Sequence, residues 1–369
     1  MRIGILTFHY AHNYGAVLRA YALLTKIKAI GHEVEFINYV LPRIEQVYNK
    51  RTPYQLYKLY KEKQNFIKAI RNTILYYKNE KLKINAKWHR FNEFVNQFIP
   101  QSTRMIEVDY NILNSYDAII CGSDQIWSKD ITKKLIPTYF CEGVRENVIK
   151  IAYAASAGKG YIDKEDENEF TRLCSNFNHI SVREKALSKF MTHLGIQNTW
   201  VSDPVFLLSK EEWSNIAIRP QISDYVLTYS FGEPNGFFEK AKAIASQMNK
   251  PLVCLVLKDK KIDVETTKVI DAGPREFIGY FINASHIVTN SFHGTAFSIL
   301  LNKQFNNITP KNGAERTKSL LTLLGLTSRI IDTDVEENNV YDIIDYNIVN
   351  NKLAEIVSLS NKFIKDSLK

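Results

Sequence analysis

The chain has 369 residues, of which 45% are hydrophobic and 12% aromatic. This length is more than one ordinary hydrophobic core accommodates, so two domains are predicted. No run approaches the roughly 20 apolar residues of a membrane span, and the N-terminus runs into His, Asn and Tyr rather than a small-residue cleavage site. Neither a membrane helix nor a signal peptide is therefore expected. The four cysteines lack metal-ligand spacing, which predicts a reducing cytosol and no zinc site.

The formal net charge is +9, and it is concentrated in one segment. The segment from Lys50 to Arg90 contains twelve Lys or Arg and two acidic residues, an excess of ten positive charges, so the rest of the chain is close to neutral. A lysine-rich soluble surface is the plainest interpretation. The sharper ones are an anionic membrane surface, an anionic substrate or nucleic acid.

In chain order, the first half begins with an apolar strand at 2–8, a helix at 15–30 that Gly31 ends, and a strand at 34–39. This β-α-β start predicts a parallel sheet with a right-handed crossover. Further predicted elements are strands at 116–121, 148–155 and 179–182, an acid-led helix at 163–176, and a closing segment at 199–205.

Residues 208–223 are polar, contain Pro220 and predict a linker. Beyond them a second α/β unit is predicted, with strands at 225–230, 252–257 and 285–289, a further strand from 305, and helices through about 248 and at 274–283, 295–301, 319–326 and 351–364. The expected class is α/β, with two Rossmann-like domains facing each other across a cleft. The expected domains are 1–208 with a basic helical insertion at about 50–99, 222–345, and a C-terminal helix at 346–369.

The insertion carries apolar residues at three- and four-residue steps, with lysines on the other face, which predicts amphipathic helix: Leu56, Leu59, Tyr60, Ile67, Ile70, Ile74 and Tyr77. The favoured interpretation is a surface helix or helical hairpin that packs this stripe on the domain. The second is a docking surface for an anionic membrane. Nucleic acid ranks third, because no groove-reading motif accompanies the charge.

Polar loops follow four predicted strands, at 9–15, 122–127, 154–160 and 290–294. Open α/β sheets bind ligands at this edge, and free N–H groups at helix N-termini favour anions. His293 lies in the last loop and is either catalytic or structural, while Gly294 would let a ligand approach the backbone. The loop His12, Asn13, Tyr14 and Gly15 is too poor in glycine for a dinucleotide site, so it is a phosphate loop or a structural turn.

Five charged residues near these loops are further candidates, each with a plainer alternative. Arg183 heads a helix and would bind an anion or form a surface salt bridge; Asp124 would be a general base or a cap. Asp203 is expected to stabilise a turn before Pro204. Lys311 and Arg316 would clamp a carboxylate or phosphate, or remain solvated.

The order of motifs along residues 1 to 330 resembles the polysaccharide pyruvyl transferase family. The motifs are FHYAHNYGAVLRAYAL at 8–23, YDAIICGSDQIW at 116–127, IAYAASAG at 151–158, ISVREK at 180–185, VSDPVFLL at 201–208 and TNSFHGTAFSILLNKQF at 289–305. The insertion and the C-terminal tail lie outside the resemblance.

The resemblance implies a GT-B-like fold and transfer of the enolpyruvyl unit of phosphoenolpyruvate onto two sugar hydroxyls, with release of phosphate. It implies that His293 is the general acid and Arg183 binds the donor, with help from Lys311 or Arg316. Asn290, Ser291 and Gly294 would complete the donor loop, and Asp124 is the candidate base. Some members carry Arg-Leu before the histidine where this chain has Ser291-Phe292, so a cation must come from elsewhere.

The sequence thus predicts a cytoplasmic enzyme that uses phosphoenolpyruvate and a glycan acceptor of a bacterial surface polysaccharide, without metal or cofactor and without nucleic acid. If the acceptor is lipid-linked, residues 50–90 would hold the enzyme peripherally at the inner face of the membrane. A GT-B glycosyltransferase using a nucleotide-sugar is the alternative, and a non-catalytic glycan- or membrane-binding protein is the third. The acceptor sugar, its hydroxyl pair, the ketal stereochemistry and the oligomeric state stay open.

Overall fold

Two open parallel sheets organise the chain, and the predicted class of two Rossmann-like α/β domains is confirmed. The structure, a computed structural model, describes residues 1–48, 57, 61, 66–79, 81–233, 236–257, 260–308, 315–331 and 343–369. None of the helices in these ranges is long and apolar enough to cross a bilayer.

The first sheet has the order β2-β1-β3-β4-β5-β6 with all neighbours parallel. Because helices cover both faces, its central strands are apolar throughout, as in the fully buried β3. The strand order reverses between β1 and β3, which creates a ligand crevice beyond their carboxyl ends. Its strands are β1 (Arg2–Leu6), β2 (Glu33–Phe36), β3 (Ala118–Gly122), β4 (Ile149–Ala155), β5 (His179–Val182) and β6 (Thr199–Trp200).

The second sheet has the order β12-β11-β10-β7-β8-β9, which is the strand order 3-2-1-4-5-6 of dinucleotide-binding domains when it is numbered from its own first strand. Its reversal point lies between β7 and β10. The strands are β7 (Val226–Tyr229), β8 (Leu252–Leu255), β9 (Thr267–Val269), β10 (His286–Thr289), β11 (Gln304–Ile308) and β12 (Ile330–Ile331).

Helices cover both sheets, and single 3₁₀ turns lie at 137–140, 164–166, 204–207 and 327–329. The helices are α1 (Tyr14–Ala29), α2 (Pro42–Tyr48), α3 (Phe66–Asn79), α4 (Lys81–Phe98), α5 (Tyr110–Leu113), α6 (Lys129–Thr132), α7 (Glu167–Cys174), α8 (Lys185–His193), α9 (Lys210–Ile216), α10 (Phe237–Gln247), α11 (Pro274–Asn283), α12 (Phe292–Leu300), α13 (Glu315–Leu324) and α14 (Tyr346–Ser367).

The two domains share one hydrophobic core across the cleft floor. Tyr14, at the start of α1, donates a hydrogen bond from its hydroxyl to Ala272 O at 2.6 Å and stacks on Phe277 with ring centroids 4.6 Å apart. The C-terminal helix α14 returns to the first domain, where Ser360 Oγ lies 2.9 Å from Ser202 Oγ. These contacts fix the loops of one sheet against those of the other.

Three predicted elements differ from the structure. The predicted linker 208–223 contains helix α9, because Ser209 and Glu212 form a capping box and Trp213 is fully buried. The short strands β9 and β12 were not predicted, since runs of two or three residues carry no clear periodicity. The turn 290–294 is shorter than predicted, because α12 begins at Phe292 and places His293 in its first turn.

The insertion also departs from its favoured interpretation. It forms helices α3 and α4, but Ile67, Ile70 and Ile74 are 76%, 38% and 59% exposed. These members of the stripe do not pack on the domain. Leu56, Leu59 and Tyr60 lie outside the described residues.

The cross-domain hydrogen bond of Tyr14 gives a direct stability test. Tyr14→Phe should lower the free energy of unfolding by about 1–2 kcal/mol, because it leaves the buried carbonyl of Ala272 without a donor. Urea denaturation measures this change. Tyr110→Phe, at a 44% exposed tyrosine, is the control and should change stability by less than about 0.5 kcal/mol; equal losses in the two variants would contradict the assigned role.

Candidate active site between the two sheets

His293 is held at the N-terminus of α12 by local capping. Ser291 is the N-cap residue, and its hydroxyl accepts a hydrogen bond from Gly294 N at 3.4 Å. Gly294 packs against the sheet, since a Cβ there would lie 2.2 Å from Thr289 Oγ1. Ser291 and Gly294 therefore position the helix that carries His293, and the close approach at Gly294 is made by Thr289.

The imidazole of His293 is wedged between the two domains. A Cβ built on Gly15 of α1 would lie 2.3 Å from its Nδ1, so only glycine leaves room for the ring. Its Nε2 lies 3.8 Å from Asp203 Oδ2 and has no hydrogen-bond partner among the described residues. The side chain is 14% exposed. A buried ring nitrogen without a partner is costly, which marks this position as a functional candidate.

Arg183 lies beside His293, but its charge is already compensated. Its Nε lies 3.1 Å from Glu184 Oε1, and its Nη1 lies 3.1 Å from Asp203 Oδ2. Its Nη2 is buried and has no partner in the described ranges. Burial alone would lower the pKa of Arg183, and the facing carboxylates raise it overall. Arg183 thus offers one free N–H edge from a rigid, paired guanidinium.

Asp203 has a larger role than the predicted turn. Its Oδ1 accepts a hydrogen bond from Val205 N at 3.1 Å, as a turn-stabilising aspartate should. Its Oδ2 contacts Arg183 and is the carboxylate oxygen 3.8 Å from His293 Nε2. Asp203 therefore joins the two predicted site residues.

Asp124, the candidate base, pairs with an arginine that the sequence reading missed. Arg19 Nη2 lies 2.8 Å from Asp124 Oδ2, and Arg19 also donates to Ser123 O at 2.5 Å and Gly15 O at 2.9 Å. Burial alone would raise the pKa of Asp124, but the charges of Arg19 and Arg183 lower it overall. A carboxylate held in this way is a weak base.

Arg316, on the first turn of α13, is a half-buried cation beside this cluster. Over the part of the chain that the structure describes, it makes no hydrogen bond or ion pair, and its Cζ lies 5.6 Å from the ring centroid of Phe292. Arg183 Cζ lies 6.0 Å from the same ring. Burial and then Arg183 lower the pKa of Arg316 to about 10. Helix α13 thus places a cation next to Phe292.

A cavity of about 440 Å³ opens beside these arginines. Arg183, Asp203, Phe292 and Arg316 line it, together with Lys159 and Lys185. Helices α13 and α14 contribute the apolar lining residues Leu320, Leu323, Leu353 and Ile356. His293 does not line the cavity, although its neighbours Phe292 and Asp203 do.

The charges around His293 balance. Three guanidiniums, those of Arg19, Arg183 and Arg316, accompany three carboxylates, those of Asp124, Glu184 and Asp203. Burial, followed by the three guanidiniums, lowers the pKa of His293 well below its usual value. The imidazole is therefore neutral at pH 7.

Other predicted residues have different partners. Asn290 pairs with the backbone of Phe231, accepting from its N at 2.8 Å and donating to its O at 2.9 Å. Asn13 caps α1, because its Oδ1 accepts a hydrogen bond from Ala16 N at 3.2 Å. The side chain of Asn13 is therefore used within the loop. His12 Nε2 lies 3.1 Å from Asn92 Oδ1. Tyr14 is buried in the domain contact, and Lys311 lies outside the described residues.

Asp163, Glu165 and Asp166 have carboxylate oxygens within 4.8 Å of one another. Lys129 Nζ lies 2.5 Å from Asp166 Oδ2 and 3.7 Å from Glu165 Oε1, and Lys159 Nζ lies 3.8 Å from Asp163 Oδ1, so two lysines partly compensate this acidic group. Its members have no contact with His293.

Comparison with known proteins decides the family. The family model described as polysaccharide pyruvyl transferase matches residues 13–312. The chain belongs to the polysaccharide pyruvyl transferase family. It is therefore a transferase of polysaccharide biosynthesis, and the matched region includes His293 and every described strand except β1 and β12.

This pyruvyl transferase family member is similar to solved structures of other enzymes. They include the Methanocaldococcus jannaschii UDP-GlcNAc 2-epimerase in complex with UDP-GlcNAc and UDP, at 11% identity, TM-score 0.46 and coverage of 97% of this chain and 93% of that one. A putative UDP-N-acetylglucosamine 2-epimerase from Listeria monocytogenes is 8% identical, with a TM-score of 0.48 and coverage of 98% of this chain and 90% of that one. The heptosyltransferase WaaC from E. coli, with ADP-2-deoxy-2-fluoro heptose, is 11% identical, with a TM-score of 0.38 and coverage of 96% of this chain and 99% of that one. At these scores none of them assigns a substrate to this chain. No curated protein is significantly similar in sequence.

The lowered pKa of His293 can be tested by removing one of its causes. Arg316→Gln should raise the pKa of His293, because loss of a nearby positive charge favours the imidazolium. Titration of the histidine Cε1–H resonances by NMR measures this pKa, with the His293 signal assigned by its absence in His293→Asn. Lys318→Gln, on the same helix, is the matched control and should leave the titration unchanged; identical pKa values in both variants would refute the proposed electrostatics.

Proposed function

We propose that this protein transfers the enolpyruvyl group of phosphoenolpyruvate to a sugar of a bacterial surface polysaccharide precursor, forms a pyruvate ketal and releases phosphate. Family membership supports a transferase of this kind. The single observation that carries the donor assignment is the half-buried Arg316, which has no hydrogen-bond or ion-pair partner among the described residues, on the same cavity as Arg183, whose buried Nη2 also lacks a partner there. Charge-assisted hydrogen bonds from such groups suit a small molecule with a carboxylate and a phosphate.

The negative charge of the donor also explains how His293 would acquire the proton that it donates. Since the cluster is balanced, an added anion of two to three charges makes the surroundings of His293 negative. The pKa of His293 then rises, and the imidazole takes up a proton as the donor binds. Binding therefore creates the imidazolium that the reaction needs as its acid.

The reaction then proceeds in two additions without any redox change. His293 protonates the methylene carbon of the donor, and a sugar hydroxyl attacks the neighbouring carbon and gives up its proton. The bond from that carbon to the phosphate oxygen next breaks, inorganic phosphate leaves, and the second hydroxyl attacks and loses its proton. The neutral imidazole formed in the first step takes up the proton of the first hydroxyl, and the leaving phosphate takes up the proton of the second, so the protons balance.

Two residues acquire assignments that differ from their sequence-based roles. Asp124 is better suited to holding Arg19 against Ser123 O and Gly15 O than to acting as the base, given its ion pair and lowered pKa. The ring centroid of Phe292 lies 5.3 Å from that of His293, 6.0 Å from Arg183 Cζ and 5.6 Å from Arg316 Cζ. We therefore assign to Phe292 a contact with the donor beside His293.

A nucleotide-sugar donor is the alternative, and one contact argues against it. In an open α/β sheet a nucleotide binds where the strand order reverses, which in the second domain is the crevice between β7 and β10. Here Asn290 bridges that crevice through both hydrogen bonds to Phe231. Phosphoenolpyruvate should raise the melting temperature, whereas a shift with nucleotides alone would favour the alternative.

Phosphate release from phosphoenolpyruvate, measured across a panel of galactosides and N-acetylhexosaminides, tests the proposal. His293→Asn should lower kcat about 10²- to 10⁴-fold, the usual contribution of a general acid. Arg316→Gln should raise KM for phosphoenolpyruvate about 10- to 100-fold through loss of a charged hydrogen bond. Lys318→Gln is the control with the same loss of charge. No acceptor-dependent phosphate release by the wild-type enzyme, or equal KM values for the two α13 variants, would contradict the assignment.

A further inference from the structure

Helix α3 presents an apolar row to solvent. Phe66, Ile67, Ile70 and Ile74 are 59%, 76%, 38% and 59% exposed, and at helical spacing they fall within an arc of about 100°. Ala69, which lies about 110° around the helix from the centre of this row, is fully buried. The helix is thus anchored by one face and directs large apolar side chains away from the protein, which is unusual in a soluble surface helix.

Positive charge surrounds this row. The segment from Lys50 to Arg90 carries an excess of ten positive charges, slightly more than the net charge of the whole chain. Lys61, Lys68 and Arg71 are exposed around the apolar row. An exposed apolar arc flanked by lysines and arginines is the pattern of a helix that lies in the interface of an anionic bilayer.

Helix α4 connects this surface to the cleft. Trp88, which is 39% exposed, contacts His12 with ring centroids 5.4 Å apart, and Lys87 Nζ lies 5.0 Å from the ring centroid of Tyr14. Arg90 reaches the second domain and pairs with Asp271 at 3.0 Å. The helix pair is therefore attached to the loop that precedes Gly15 and to both domains.

We propose that helices α3 and α4 dock the enzyme on an anionic membrane surface, with the apolar row of α3 inserted among the lipids and the basic residues on the headgroups. This inference stands on exposure and charge and does not depend on the proposed donor. If the acceptor is carried by a lipid, docking through α4 brings it to the loop at the mouth of the cleft. Aromatic and aliphatic side chains suit the bilayer interface, whereas a phosphate backbone would leave the apolar row without a partner.

Flotation of the full-length protein with vesicles tests this inference. Binding to phosphatidylglycerol-containing vesicles should exceed binding to pure phosphatidylcholine at least tenfold. Phe66→Ser/Ile67→Ser/Ile74→Ser should weaken binding to the anionic vesicles about tenfold or more. Lys61→Gln/Lys68→Gln/Arg71→Gln should weaken it about 100-fold, given the contribution of each charge near the surface.

Two matched triple variants are the controls. Ile106→Ser/Ile348→Ser/Leu359→Ser removes side chains that are 53%, 56% and 52% exposed elsewhere on the surface. Lys164→Gln/Lys189→Gln/Lys362→Gln removes three exposed charges from other helices and turns. Both should bind within about twofold of the wild type, and all variants should keep its melting temperature because the substituted side chains are exposed.

Three results would overturn the inference. One is equal binding to neutral and anionic vesicles, and another is equal losses in test and control variants. The third is a wild-type dimer that only the α3 apolar variant dissociates, because a second copy would then occupy the row. Phosphate release with a soluble acceptor separates this inference from the proposed function: the α3 variants should keep it, so failed flotation with intact turnover would remove the membrane role alone.

Discussion

The site depends on a buried balance of charge around one imidazole. Arg183 is compensated twice, by Glu184 and Asp203, and Arg316 carries the positive charge that restores neutrality. In the low dielectric between the domains such groups interact strongly, and none can be removed without leaving an uncompensated charge. Burial and the three guanidiniums keep His293 neutral, and an added anion would oppose their effect on its pKa.

The fold supplies this balance by bringing together the reversal point of the first sheet and the end of β10. Gly15 and Arg19 come from the helix after β1, Ser123 and Asp124 follow β3, and His293 heads the helix after β10. The shared core and the Tyr14–Ala272 hydrogen bond keep the two edges in register. His293 contacts Gly15 because both domains are packed in this way, so the geometry of the candidate site is a property of the interface.

Much of this arrangement follows from the sequence, and the remainder depends on pairings that no local pattern encodes. Continuous apolar runs ended by polar loops predicted both sheets and placed His293, Arg183 and Asp124 at strand ends. The partners Arg19 and Asp203 were missed because their roles arise from tertiary contacts: Arg19 sits among apolar residues of α1, and Asp203 also has the turn-stabilising role that its Pro neighbour suggests. The start of α12 was predicted at residue 295, whereas the helix begins at Phe292, because Ser291 is its N-cap and its sequence context was interpreted as a turn.

The insertion shows a second limit of prediction from sequence, which concerns the surroundings of a helix. Its periodicity predicted amphipathic helices, but periodicity alone does not say whether an apolar face meets protein or another medium. The exposure of Ile67 and Ile74 decides this for α3, and the contacts of Trp88 and Arg90 show that the insertion also reaches both domains. Sequence could likewise not choose between Lys311 and Arg316; the structure brings Arg316 to the cavity.

Proton uptake on donor binding tests the central claim most directly. Isothermal titration of phosphoenolpyruvate at pH 7, in buffers of different ionisation enthalpy, counts the protons that the complex takes up. The account predicts net uptake by the wild-type protein that disappears in His293→Asn, because the donor's charge raises the pKa of this imidazole. Binding with no uptake, or with the same uptake in His293→Asn, would contradict it.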